Sequence, residues 1–115
     1  MSAKIYHNPR CSKSRTTLSI LEEKGLDMEI IKYLSETPSV EELKELLAAL
    51  DMQPRDLMRQ HEAPYKANNL ADESLSEDAL IQAMVDNPIL IERPIVKTDK
   101  GVVIGRPPEN VLEII

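Results

Sequence analysis

The chain has 115 residues, enough for one compact domain with a real core. Acidic residues outnumber basic ones 20 to 14, giving a formal net charge of −6. That balance argues against a broad grip on a nucleic-acid backbone. Charged residues break every apolar run well short of ~18 residues, which excludes a membrane-spanning helix.

The N-terminus has neither the apolar stretch nor the small-residue cleavage site of a secretory signal. Cys11, the only cysteine, has no partner for an internal disulfide and fits a reducing compartment, so a cytoplasmic location is expected. Trp and Phe are absent, and the aromatics are Tyr6, Tyr33 and Tyr65, so the core must be aliphatic.

In chain order, Lys4-Ile5-Tyr6 reads as a strand that Asn8 and Pro9 break. Ser12 to Lys24 reads as a helix with Leu18 and Leu21 on one face and Gly25 as its stop. Met28 to Tyr33 is a second strand, and strand–helix–strand predicts a parallel βαβ unit. Ser39 with Glu42 forms a capping box ahead of Val40, Leu43, Leu46, Leu47 and Leu50 at helical spacing. Gln53 to Met58 predicts a short helix with proline in its first turn. Residues 61–71 read as loop with one helical turn.

Ser74 with Glu77 suggests a cap for a helix of about ten residues that ends before Pro88. Ile95-Val96-Lys97 and Val102-Val103-Ile104 flank Thr98-Asp99-Lys100-Gly101, a hairpin turn. Pro107-Pro108 then opens a last α-helix through Ile114. The expected fold class is α/β: a thioredoxin-like mixed sheet with a helical insertion between N-terminal βαβ and C-terminal ββα units, forming a single domain over residues 1–115. Fold alone does not specify activity.

The chemistry concentrates around His7-Asn8-Pro9-Arg10-Cys11-Ser12-Lys13-Ser14-Arg15. The thiolate is the reactive form of cysteine, and an ordinary pKa of about 8.5 leaves little of it at neutral pH. Two features here favour the anion. Cys11 stands at a predicted helix N-terminus, with its outward amides and positive dipole end, and Arg10, Lys13 and Arg15 add positive charge. Ser12, Ser14 and His7 are placed to donate hydrogen bonds to the sulfur. A small buried cysteine without chemistry is the alternative. Polar neighbours on both sides weigh against it.

A helix N-terminus also receives phosphate-like oxyanions, usually completed by arginine forks. Arg59, Arg93 and Arg106 stand at element junctions and are the candidates. Each is otherwise a solvated surface arginine, and nothing in the sequence brings them together. Pro94 is either a cis turn or an ordinary trans residue at a strand start.

The Cys11 loop resembles that of the glutaredoxin-coupled, ArsC-type arsenate reductases, in their short branch. Leu57-Met58-Arg59, Glu62-Ala63-Pro64-Tyr65, Asn87 to Val96 and Gly105-Arg106-Pro107-Pro108-Glu109 resemble later motifs of that family in the same order. The resemblance implies that Cys11 is the nucleophile, tuned by His7 and backed by the Ser14 hydroxyl. It implies that Arg59, Arg93 and Arg106 bind the oxyanion, and that Pro94 is cis. It implies no bound cofactor and no metal, with arsenate as substrate, glutathione as co-substrate and glutaredoxin as protein partner. One cysteine suffices when the second thiol comes from glutathione.

Two other functions fit the same fold. A glutathione-linked thiol–disulfide oxidoreductase would use Cys11 and His7 but not the three arginines. A redox regulator of the Spx type would carry a Cys-x-x-Cys pair, and here Ser14 fills the second position.

Overall fold

The computed structural model describes residues 2–115. β1 (Ser2–Tyr6) and β2 (Asp27–Ile31) flank α1 (Ser12–Glu23) and pair in parallel, with Ile5 opposite Ile30. β3 (Ile95–Thr98) joins the other edge of β1 antiparallel, and β4 (Gly101–Ile104) pairs antiparallel with β3. The sheet order is β2-β1-β3-β4, a mixed sheet of the thioredoxin-like kind.

Strand alternation sends Ala3 and Ile5 of β1 to one face, where they meet Leu21 of α1, Val96 of β3, and Val111 and Ile114 near the C-terminus. These six buried side chains form the core of a unit made of residues 1–36 and 93–115. Burying each Leu, Ile or Val contributes about 1.5–3 kcal/mol. Gly25 ends α1 at φ +74°, a conformation that a residue with a Cβ resists.

Residues 37–92, the insertion, form the second unit. It contains α2 (Val40–Leu50), α3 (Pro54–Leu57), α4 (Ala63–Ala67), α5 (Glu77–Asp86) and a 3₁₀ turn at Pro88–Leu90. α5 packs against α2, α3 and that turn. Leu43, Leu46, Leu57, Leu80, Met84 and Leu90 are buried. Ser39 Oγ accepts from Glu42 N–H at 3.1 Å, so the serine half of the expected capping box forms.

Three expectations need correction. β2 ends at Ile31, not Tyr33, because the Lys32 carbonyl turns to accept from Ser35 and Glu36. The cap of α5 is Ser76, whose Oγ accepts from Ala79 N–H. Ser74 is already engaged with the Asp72 carboxylate through its amide and hydroxyl. The last helix, Pro108–Ile114, is 3₁₀ and not α. Its buried residues are Pro108, Val111 and Ile114, spaced by three, and a three-residue repeat puts all of them on one face.

Candidate active site

β1 delivers the chain into the loop 7–11, and Cys11 is the N-cap of α1, with an extended backbone and partial exposure. The loop is drawn tight from within. Cys11 N–H donates to Asn8 O at 3.0 Å, Arg10 N–H to Asn8 Oδ1 at 3.0 Å, and Arg15 Nη1 to Pro9 O at 2.9 Å. Beneath it lies the fully buried Ser14, whose Oγ accepts from Asn8 N–H at 3.1 Å and lies 2.6 Å from His7 Nδ1.

His7 is buried, and burial holds its pKa below the usual 6.5, helped by the positive charges of Lys32 and Arg15. A neutral imidazole has one acceptor nitrogen. Nδ1 and Ser14 Oγ share one hydrogen bond, whose direction is set by the tautomer of the ring. The structure therefore spends Ser14 on bracing the loop. No hydrogen bond joins His7, Ser12 or Ser14 to the Cys11 sulfur among the described residues. The expected hydroxyl donors to sulfur are thus replaced by a serine that fixes the histidine and the loop backbone.

Arg93 and Arg106 both precede cis prolines, at Arg93-Pro94 and Arg106-Pro107. The first was implied by the resemblance. The second had no signal in the sequence beyond the proline itself. The two segments are tied together: Gly105 N–H donates to Pro94 O at 2.9 Å, and Arg106 Nη1 reaches Arg93 O at 3.4 Å.

Both segments close on α1 at Gly105, where a Cβ would stand 2.6 Å from Thr17 Oγ1 and 2.8 Å from Pro94 Cγ. Thr17 lies six residues, roughly 9 Å of helix rise, past Cys11. Asn110 completes the brace, its Nδ2 donating to Ile104 O at 3.1 Å and to Arg106 O at 3.2 Å. Gly105, Thr17 and Asn110 were missed as site-supporting residues. Gly105 sat inside a motif but drew no notice for its missing side chain.

Arg59 belongs to the insertion. The segment Leu57-Met58-Arg59 pairs with Leu90-Ile91-Glu92 through a Met58–Ile91 bridge, with Arg59 N–H donating to Leu90 O at 2.7 Å. Its guanidinium is held by Glu62 at 2.8 Å, with Glu92 at 3.9 Å and His61 Nε2 at 3.3 Å.

Elsewhere, an open cleft lined by Ser2, Lys4, Glu29 and Asp99 lies at the far end of β1 from Cys11 and carries no thiol. Among the described residues, no group of three or more His, Cys, Asp or Glu side chains is arranged to hold a metal. No helix among them is long and apolar enough to cross a membrane.

The chain is 59% identical over 113 residues to the Escherichia coli K12 protein YfgD, described as uncharacterized, covering 97% of this chain and 95% of that one. It is 46% identical over 109 residues to an arsenate reductase of Neisseria meningitidis serogroup A, covering 94% and 93% of the two chains. The solved structure of an arsenate reductase from Vibrio cholerae superposes with a TM-score of 0.96 at 54% identity, covering 100% of this chain and 98% of that one. The model of the ArsC family matches residues 6–114, and the chain belongs to the ArsC family.

Proposed function

We propose that this protein reduces arsenate to arsenite, with Cys11 as nucleophile and glutathione and glutaredoxin as reductants. The observation that carries the reading is the setting of Cys11. It is a partly exposed thiol at the N-cap of α1, on a loop braced by buried hydrogen bonds and a helix locked to two Arg-Pro segments. Family membership and the names of the relatives support the substrate.

In the proposed cycle the Cys11 thiolate attacks arsenate, a sulfur–arsenic bond forms, and an arsenic-bound oxygen leaves as water. Arg93 and Arg106 are the proposed donor forks for the remaining oxygens, with Arg59 as a third oxyanion ligand on the strength of the resemblance. A glutathione thiol then displaces a second oxygen as water and bonds to arsenic. Glutaredoxin attacks the glutathione sulfur. The electron pair of the arsenic–sulfur bond stays on arsenic, which passes from As(V) to As(III), while the two thiols leave as a mixed disulfide. Water releases arsenite and returns the Cys11 thiol. Such a cycle needs a reducing, glutathione-containing compartment, which we take to be the cytoplasm.

The helix N-terminus and guanidiniums suit a tetrahedral anion, and a soft thiolate suits arsenic. His7, neutral and braced by Ser14, holds the loop that presents the sulfur. The test is NADPH oxidation coupled through glutathione reductase, in a mixture of arsenate, glutathione and glutaredoxin. The same mixture is then run with each component left out. Turnover that requires all three is expected. Equal turnover without arsenate, on a glutathione mixed disulfide, would replace this reading with that of a thiol–disulfide oxidoreductase.

A further inference from the structure

Glu62 opens the Glu62-Ala63-Pro64-Tyr65 motif, and the proposed cycle gives it no task. Its position is built from the backbone. The pairing of Leu57-Met58-Arg59 with Leu90-Ile91-Glu92 fixes the start of the turn, since Leu57, Met58, Leu90 and Ile91 are all buried. Glu92 N–H donates to Leu57 O at 2.8 Å, alongside the Arg59-to-Leu90 bond. Glu62 N–H donates back to Arg59 O at 3.1 Å, and Tyr65 N–H to Glu62 O at 3.0 Å, so Glu62 closes the turn and caps α4.

Across this closed turn Arg59 Nη1 meets Glu62 Oε1 at 2.8 Å, with the two side chains only 16% and 22% exposed. Glu92 Oε1 stands 3.9 Å from Nε. His61 Nε2 takes a hydrogen bond from Nη2 at 3.3 Å. Solvent screens such a pair less than it screens an ordinary surface ion pair.

This arrangement has two opposed effects on an arginine meant for an anion. The carboxylate holds the guanidinium plane in one orientation. It also takes up one of five N–H donors and sets a negative charge beside the charge an oxyanion would seek. We propose that Glu62 is a positioning residue acting through Arg59: it orients the guanidinium while weakening its hold on every tetrahedral oxyanion. The inference rests on the proposed role of Arg59 as an oxyanion ligand.

Its consequence is a short stay for every anion that does not bond to the sulfur. Phosphate and sulfate, which form no bond to the Cys11 sulfur, are held loosely and leave. Arsenate is committed by sulfur–arsenic bond formation rather than by ground-state affinity. Binding lost equally from ground state and transition state falls on KM and not on kcat.

The experiment titrates reduced protein with inorganic phosphate and with sulfate, for wild type, Glu62→Gln, Glu62→Asp and Arg59→Ala. KM and kcat for arsenate are measured on the same variants. Glu62→Gln keeps an oxygen able to accept from Nη1 and removes the charge. It is expected to bind both anions about threefold to tenfold more tightly and to lower KM by a similar factor, with kcat not raised. Glu62→Asp keeps the charge and is expected to stay within about twofold of wild type.

Binding by Glu62→Gln that is equal to wild type or looser overturns the proposal, as does tightening of the same size in Glu62→Asp. If Arg59→Ala weakens anion binding while Glu62→Gln changes nothing, Glu62 fails and Arg59 keeps its role. If Arg59→Ala leaves anion binding unchanged, the reading of Arg59 fails first.

Discussion

The loop that carries Cys11 and the turn that carries Arg59 are both tied by hydrogen bonds, but opposite parts of each are held. Around Cys11 the fixing is done by neighbours, through Ser14, His7, Asn8 and Arg15, while the sulfur itself makes no hydrogen bond among the described residues. Around Arg59 the functional group itself is gripped, by Glu62 at 2.8 Å with Glu92 nearby. The sulfur is presented without a hydrogen-bond partner among the described residues. A binding cation tolerates, and here is given, a resident counter-charge. The difference separates a residue proposed to make a bond from one proposed to offer only a field and a fork.

Four experiments press on that comparison. The largest effect is expected for Cys11→Ser, which keeps the N-cap geometry and removes the sulfur. Arsenate-dependent turnover should fall by at least about a thousandfold with far-UV dichroism unchanged. Arsenite production near the wild-type rate would mean that the presented thiol is not the nucleophile.

Next come Arg93→Lys and Arg106→Lys. A point charge does not replace a planar fork, and kcat/KM for arsenate should fall by roughly ten- to a hundredfold in each. Steady-state rates unchanged in both would remove the guanidiniums from the site.

Gly105→Ala addresses how the Cys11 helix is held from outside. The added methyl would sit 2.6 Å from Thr17 Oγ1 and 2.8 Å from Pro94 Cγ, and overpacking of this kind costs about 1–3 kcal/mol. A drop in Tm of roughly 5–15 °C is expected, partly relieved by Thr17→Ala in the same chain. An unchanged Tm would show that this contact does not brace α1.

The smallest effect is a pH dependence from His7. Its folded pKa lies below 6.5, so as pH falls through 6.5 the unfolded chain gains a proton that the folded chain refuses. His7 therefore contributes stability that is present above 6.5 and is lost on acidification towards its folded pKa. The slope is at most about 1.4 kcal/mol per pH unit, the limit for one proton. Urea unfolding between pH 7.5 and about 5.5 should show this component in wild type and lose it in His7→Gln. Identical slopes would place His7 in an environment no different from the unfolded chain.

The periodic parts of the sequence read correctly. Apolar spacing, Gly25, Ser39 and the 98–101 turn located nearly every element, because those signals are local and each is a consequence of backbone sterics or capping. The failures came where two local options competed. Ser74 read as the cap of α5, but Asp72 holds it and Ser76, which drew no such reading, caps the helix. Pro107-Pro108 announced a helix but not its repeat, which the docking of Val111 and Ile114 decided.

The sequence by itself determined that one thiol would stand at the start of a helix in a thioredoxin-like chain, since a strand, a Pro-containing loop and a helix stopped by Gly25 follow one another between Lys4 and Gly25. Only the tertiary structure decided what surrounds that thiol. Ser14 turned to His7 and not to sulfur, and Gly105, 88 residues beyond Thr17 in the chain, became the contact between α1 and Pro94. Arg59 came to face Glu62 across a turn that the distant pairing of Met58 with Ile91 holds shut. Hydrogen-bond choice and charge pairing depend on distances of a few ångströms between segments remote in sequence, and those distances exist only once the chain has folded.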